Sequence, residues 1–292
     1  MEIDVATECA FVIPAAVTWP QVKERAWDKK VQVFATGLGG FLNRPKTEDV
    51  EITYSELRYE PFWHLVAGSR FRYERGRSYR VPVPAPEVAK VTLFGQEFPV
   101  APGKDAKEPR GFTATGTEYC EEEVRIEKFY DGVTGKEEDF SDFLKLPASE
   151  IPDLGAFAPA ESLVVPPQVR AMTIVRGVMG GLFKPVQADK VFEEHIAVDM
   201  VSLYFKPTYA FEYRWKTKDK TAVAEFDAMT GEMRTGGRTV KEQITGVLSQ
   251  DLLFDVTADA VGMFVPGGSI AVKLARAGAR KALGREIERP SR

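Results

Sequence analysis

The chain has 292 residues, of which 44% are hydrophobic and 28% are charged, and its formal net charge is −4. This composition is typical of a soluble globular protein long enough for two ordinary domains. The negative net charge argues against a protein that binds duplex nucleic acid, whose surface is usually strongly basic. It does not exclude a local basic patch. Two distant cysteines, Cys9 and Cys120, exclude a disulfide scaffold and are typical of free thiols in a reducing cytosol.

The N-terminal residues Met1–Val5 are acidic and lack the basic start of a secretory signal, so we expect a cytoplasmic protein. The longest uncharged stretches, Cys9–Val22 and Ala260–Val272, have 14 and 13 residues. Both are too short to span a bilayer.

Four short strings recur in the same order in the two halves of the chain, which indicates an internal duplication. The third string has the form Leu-x-aromatic-x-Pro-x-aromatic-x-apolar in both copies. The pairs are Pro20–Lys23 with Pro167–Arg170, Gly39–Pro45 with Gly180–Pro185, Leu57–Leu65 with Leu203–Phe211, and Asp131–Gly135 with Asp227–Gly231.

Each copy reads as a helix followed by an antiparallel sheet. Proline suits the first turn of a helix, and the Gly-Gly pair of the second string is a stop signal. The period then changes to two: in the second copy, Ala197–Met200, Ser202–Trp215 and Ala222–Phe226 are predicted strands. Asp227–Gly231 is a predicted turn in which Gly231 adopts a positive φ. We therefore predict an α+β fold of two tandem two-layer modules with a C-terminal helix.

The predicted domain boundaries follow from spacing and proline content. Residues 1–146 form the first module, which carries a 50-residue insertion relative to the second. Residues 147–166 form a Pro-rich linker, residues 167–250 form the second module, and residues 251–292 form a helical tail.

The strand–turn–strand ending of the second copy, Glu225–Glu232 with its Asp-x-x-Thr-Gly turn, resembles PepSY-type and cystatin-like domains. The helix followed by a Tyr/Phe-x-Pro-x-Trp/Tyr strand also resembles domains of uncharacterised bacterial proteins. This resemblance implies a two-layer fold and a protein that binds or inhibits. It implies no catalytic residue, because the matched positions serve turns and cores.

The sequence offers little for catalysis or cofactor binding. His64, His195 and the two cysteines lack the spacing of metal ligands, and no nucleophile elbow or complete phosphate loop is present. His64 is predicted to be an ordinary half-exposed histidine in a strand. His195, beside Glu193 and Glu194, is either a solvated edge residue or part of an acid–base pair. We predict no catalytic residues, no metal and no cofactor.

An arginine-rich segment, Arg70–Arg80, is interleaved with aromatic residues. Arg70, Arg72, Arg75 and Arg77 could bind nucleic acid or a phosphorylated ligand. Alternatively, they pair across strands with the acidic run between Glu118 and Glu127.

Two further surfaces are candidates for partner binding. The aromatics of the third string, among them Trp63 and Tyr209, either fill the core or line a peptide-binding groove. A helix predicted at Ile270–Leu283 carries a basic stripe. Three roles are open for that helix: it docks on its own domain, it binds a partner, or it lies on an anionic membrane. The stripe consists of Lys273, Arg276 and Arg280.

From these features we expect a non-enzymatic binding or adaptor protein that acts through a protein partner or through self-association. The alternative is a nucleic-acid or phospho-ligand accessory factor that uses the Arg70–Arg80 strand. A membrane surface is not an expected partner.

Overall fold

The computed structural model describes residues 2–35, 44–103, 109–182, 186–235, 248–256 and 271–272. The helices are α1 (Trp19–Lys29), α2 (Ala171–Leu182) and the single turn α3 (Gln250–Leu253). The strands are β1 (Glu2–Val5), β2 (Cys9–Val12), β3 (Val50–Pro82), β4 (Lys90–Leu93), β5 (Gln96–Pro99), β6 (Gly111–Asp131), β7 (Ser149–Glu150), β8 (Ser162–Val164), β9 (Lys190–Trp215), β10 (Lys220–Asp227), β11 (Met233–Thr235) and β12 (Ala271–Val272).

Ten of these strands form one mixed sheet, and β4 pairs with β5 in a separate hairpin. The sheet is organised by two long strands, β3 with 33 residues and β9 with 26. They run antiparallel from Val50–Trp215 to Glu74–Lys190. On its outer side β3 pairs with β8 and β6, and β9 pairs with β1, β2 and β10.

The prediction of two tandem α+β modules of the PepSY or cystatin-like kind is wrong. The described residues form a sheet-dominated fold with two helices of more than one turn, and strands of both halves belong to one sheet. The alternating pattern identified strand segments correctly, but it could not show that they join into strands as long as β3 and β9.

The repeated strings lie side by side at the centre of the sheet. In the register of β3 with β9, the leucine of each third string faces the second aromatic of the other, and the fourth residues of the two strings face each other. An approximate two-fold axis therefore passes between these fourth residues. The pairs are Leu57 with Tyr209, Trp63 with Leu203 and Glu60 with Lys206.

The two Asp-x-x-Thr-Gly strings form turns with the same hydrogen bonds. The Asp131 carboxylate accepts hydrogen bonds from the backbone N–H groups of Val133 and Thr134 at 3.1 and 2.6 Å. Asp227 accepts the equivalent bonds at 2.8 and 3.0 Å. The glycine that ends each turn has φ of 71°, so the positive φ predicted for Gly231 is confirmed.

Each helix packs on at least one strand of the opposite half of the chain. Val22 and Ala26 of α1 belong to a core with Tyr209, Phe211 and Phe226 of β9 and β10. The apolar face of α2 packs on Trp63, Leu65 and Ala67 of β3, and also on β9. Backbone bonds fix both arrangements: the carbonyl of Ala228 accepts the N–H groups of Ala16 and Val17, and that of Gly132 accepts those of Gln168 and Val169.

The first repeated string does not mark equivalent positions. Pro20 lies in the first turn of α1, after the N-cap Thr18, whose N–H donates to Gln21 Oε1 at 2.9 Å. Pro167 instead precedes α2, which begins at Ala171. Val17 and Val169 are the equivalent residues, because each donates its N–H to the carbonyl of the second residue of an Asp-x-x-Thr-Gly turn. The two prolines are therefore not equivalent, and their match in sequence reflects only that proline is accepted at the start of a helix.

The predicted linker and tail also contribute to the sheet. Within residues 147–166, β7 pairs with β2 and β8 pairs with β3. Ala271 and Val272, predicted to start the C-terminal helix, form β12 parallel to β1. The rest of that predicted helix lies outside the described residues. Among the helices that are described, none combines the length and the apolarity needed to cross a membrane.

Candidate functional site

The most prominent surface feature is a two-stranded arm that extends beyond the sheet. We define the arm as Arg75–Pro82 of β3, Gly111–Glu118 of β6 and the β4–β5 hairpin. The pairing of β3 with β9 ends at Glu74, whereas its pairing with β6 continues to Pro82. At about 3.3 Å per residue, the paired segments alone extend about 26 Å.

The arm has its own small core. Phe98 of the hairpin lies against Phe112 of β6 with ring centroids 5.1 Å apart, and Phe112 is buried. The Arg80 guanidinium donates to the carbonyls of Ala101 and Pro102 at 3.0 and 3.1 Å, which ties the hairpin connection to β3. Because an isolated two-stranded ribbon is marginally stable in water, these contacts are needed to hold the arm in shape.

The tip of the arm presents a phenylalanine to solvent. Phe94 is fully exposed, and Leu93 beside it is 40% exposed. Phe94 and Gly95 form the two-residue loop between β4 and β5 with φ of 51° and 80°. This loop requires positive φ at both positions and favours Asn-Gly or Asp-Gly, so phenylalanine here is conformationally costly. A costly and fully exposed aromatic residue points to a role in binding.

Further apolar side chains line the arm and its base. Tyr79 is 46% exposed on β3, and Tyr119, which follows the arm on β6, is 78% exposed. Tyrosine is enriched at protein interfaces because it offers an apolar ring and a polar hydroxyl. Among the described residues, the outer edge of β6 is bridged only at its two ends, Gly111 with Ala101 and Tyr130 with Glu137, so the backbone between them can also accept a further strand.

Glu118 organises the charged face of the arm. Its carboxylate accepts hydrogen bonds from Tyr79 Oη at 2.7 Å and from Arg75 Nε at 2.6 Å, and Arg77 Nε lies 3.6 Å away. The hydrogen bonds from Tyr79 and Arg75 lower the pKa of Glu118, so this group is ionised at neutral pH.

The four predicted arginines do not form one basic surface. Arg70 and Arg72 occupy even positions of β3 and Arg75 and Arg77 occupy odd ones. Because successive side chains of a strand point to opposite faces, the two pairs lie on opposite faces of β3. Each lies near a carboxylate: Arg70 at 3.3 Å from Glu123, Arg72 at 3.8 Å from Glu193, and Arg75 and Arg77 near Glu118. Arg70, Arg75 and Arg77 thus lie near residues of the acidic run on β6, whereas Arg72 lies near a glutamate of β9 outside that run.

Trp63 and Tyr209 lie in the core. Trp63 is fully buried and donates its indole N–H to the carbonyl of Val169 at 2.9 Å. Tyr209 is 3% exposed and donates its hydroxyl to the carbonyl of Val17 at 2.7 Å. Both side chains hold the segment that leads into a helix, and neither is open to a peptide. Lys273, Arg276 and Arg280 lie outside the described residues.

The two histidines also have partners. His64 is buried rather than half-exposed; it stacks on Phe129 at 4.5 Å, and its Nε2 lies 2.9 Å from Glu127 Oε1. Burial lowers the pKa of His64 despite that carboxylate. His195 Nε2 lies 2.9 Å from Asp4 Oδ2. Within the described part of the chain, no group of three or more His, Cys, Asp or Glu side chains could hold a metal ion.

A buried network of charges lies near the two-fold axis. Arg58 is 1% exposed and contacts the carboxylates of Glu60 (2.9 Å) and Glu225. Glu60 also accepts hydrogen bonds from Lys206 Nζ (2.9 Å) and Thr208 Oγ1 (3.0 Å). Although burial opposes ionisation, Lys206 and Arg58 together lower the pKa of Glu60 to about 2. Because these charged groups are largely shielded from solvent and pair with one another, we interpret them as contributing to stability rather than to ligand binding.

Sequence reasoning missed the exposed aromatics of the arm. Read by its pattern alone, the run Val91–Phe94 favours a strand that includes Phe94, because aromatic and β-branched residues are enriched in strands. The usable signal was Phe94-Gly95 between two short alternating runs, where a glycine marks a two-residue hairpin loop.

Comparison with known proteins gives no match: no protein-family model, no curated protein and no solved structure is significantly similar to this chain. The predicted likeness to PepSY and cystatin-like domains therefore has no support from comparison or from the fold.

Proposed function

We propose that this chain is a non-enzymatic binding or adaptor protein that engages a protein partner through its arm. The observation that carries the proposal is the fully exposed Phe94, held at positive φ at the end of a preformed ribbon. Binding energy at protein interfaces is concentrated in a few aromatic anchors, and a rigid scaffold lowers the entropic cost of presenting them.

Two features support a protein rather than a nucleic acid as the partner. The arginines of β3 are divided between two faces and lie near carboxylates, so they offer no continuous basic track for a phosphate backbone. The hairpin that carries Phe94 is electrically balanced, because its two charged residues form an ion pair, with 2.8 Å between Lys90 Nζ and Glu97 Oε1. The proposed location is the cytoplasm, which the two free cysteines support.

The proposal can be tested by affinity capture from a lysate of the producing cells, with quantitative mass spectrometry. Wild-type protein is compared with Phe94→Asn, which keeps the loop geometry, and with Tyr119→Ser. Trp27→Ser is the matched control, because Trp27 is 56% exposed on α1, away from the arm. A true partner is depleted by the arm variants and retained by the control. If no captured protein responds to the arm variants, the arm is not the binding surface.

A further inference from the structure

We propose that a cleft on the charged face of the sheet is a second site, which binds a small zwitterion carrying a carboxylate and an ammonium group. The cleft has a volume of about 260 Å³. It lies among β3, β6 and β9, before the start of the arm, and the proposal does not rest on the function of the arm.

The floor of the cleft is low because two neighbouring residues have little or no side chain. Gly68 of β3 lies between Arg125 of β6 and Ala197 of β9 as its direct register partners. Arg70 and His195, the next pair on the same face, form one wall. The glycine therefore opens a depression in a surface that longer side chains would otherwise cover.

A β-bulge contributes the second wall. Val66 pairs with Met200 and Ala67 pairs with Val198, so Asp199 is an extra residue with no partner on β3. A bulge of this kind redirects a side chain, and bulges are enriched beside binding and active sites. Asp199 is exposed and lines the cleft.

The charges of the cleft divide into satisfied and available groups. Arg70 lies 3.3 Å from Glu123, and His195 lies 2.9 Å from Asp4. Arg125 and Asp199 also line the cleft, and neither makes a hydrogen bond or an ion pair with the part of the chain that the structure describes. One guanidinium and one carboxylate are therefore available to a ligand.

These available groups decide the class of ligand. A simple anion would meet Glu123 and Asp199, and a simple cation would meet Arg70 and Arg125. A zwitterion satisfies both ends, with its carboxylate on the planar guanidinium of Arg125 and its ammonium on Asp199. Arg125 on β6 and Asp199 on β9 are separated by two strand spacings, which is about 10 Å between Cα atoms. Because both side chains reach toward the ligand, the two charges of the ligand should be several ångströms apart. A short ω-amino acid or a dipeptide fits this description.

The test is a binding titration on the full chain by calorimetry or ligand-observed NMR. The probes are γ-aminobutyrate and glycylglycine, and the one-charge controls are acetate and ethylammonium. We expect saturable binding of at least one probe, at least tenfold tighter than either control. If neither probe shows saturable binding, or if acetate or ethylammonium binds equally well, the proposal is overturned.

Variants then locate the site. Arg125→Gln and Asp199→Asn should each weaken probe binding at least fivefold, and Ala197→Leu should abolish it by filling the floor. Lys136→Gln, which removes an exposed charge directly after the Asp131–Gly135 turn, should leave the affinity unchanged. Arg125 and Asp199 are exposed, so their variants should fold, and circular dichroism checks this. Binding that survives both charge variants would place the probe elsewhere and overturn the proposal, whereas loss of arm-dependent protein capture would not affect it.

Discussion

Glu60 and Lys206 face each other across β3 and β9 with 2.9 Å between Oε2 and Nζ, and they occupy the same position in the two repeated strings. One copy therefore carries the acid and the other the base at the approximate two-fold axis. An identical residue at both positions would place like charges in contact, so the difference between the copies is what allows charged residues here.

Removing the Glu60 charge should be strongly destabilising. Glu60→Gln leaves Lys206 and Arg58 without a shared counter-charge in an enclosed site, and we expect a loss of about 3 kcal/mol in the free energy of unfolding. Chemical denaturation at pH 7 measures the loss. Glu137→Gln is the control, because its pair with Lys128 at 2.6 Å is more exposed and should contribute less than about 1 kcal/mol. Equal effects of the two variants would contradict the assignment.

Glu8 should make stability depend on pH near neutrality. Its carboxylate accepts the N–H of Val256 at 3.2 Å, and burial raises its pKa to about 7. Between the unfolded pKa of about 4.5 and the folded value, the native state holds a proton that the unfolded state has released. The contribution of Glu8 to stability is therefore present below about pH 4.5 and is lost as the pH rises to 7.

The substitution Glu8→Gln isolates this effect. Relative to wild type, the variant should gain stability progressively between pH 5 and pH 8, by about 1–2 kcal/mol after allowance for partial solvent exposure. Thermal melts at several pH values measure the difference. A stability difference that stays constant across this range would show that Glu8 does not titrate there.

The two Asp-x-x-Thr-Gly turns should respond alike to substitution. Asp131→Ala and Asp227→Ala each remove a carboxylate that accepts two backbone N–H groups, and each should cost about 1–2 kcal/mol. Because the turns lie far apart, the double variant should show an additive loss in denaturant titrations. If only one of the two variants lost stability, the same hydrogen-bond geometry would not contribute equally to the free energy of unfolding at the two turns.

Phe94→Asn should maintain or raise stability while it weakens partner capture. Asparagine adopts positive φ more readily than phenylalanine, and Phe94 is fully exposed, so the variant loses no packing. We expect the melting temperature to stay constant or rise. A marked fall would instead show that Phe94 contributes to the fold.

The sequence allowed local features to be predicted and left their assembly undetermined. The turn glycine Gly231 could be predicted because a positive φ has few residue choices. The periodicity of Tyr209 and Phe211 shows that these side chains share a face, but no pattern shows that α1, rather than α2, covers them. Packing between distant segments depends on complementary volume, which one sequence does not display.

The same limit applies to the candidate site. Pairing of Arg75 with Glu118 was among the expected alternatives, because opposite charges on neighbouring strands attract. The projection of the arm beyond β9 was not predictable, since it depends on where β9 begins relative to β3. The Asp199 bulge was hidden for the same reason, because a bulge is a property of the register between two strands.

The exchange of helices between the halves has a consequence for how the molecule is built. Half of the chain alone would leave Trp63 without α2, or Tyr209 without α1, and would expose the apolar surface that the missing helix covers. Such a half could complete its core only by associating with another half. In this respect the two halves resemble the subunits of a dimer that are covalently joined, so the contact between them forms within one molecule and does not depend on protein concentration.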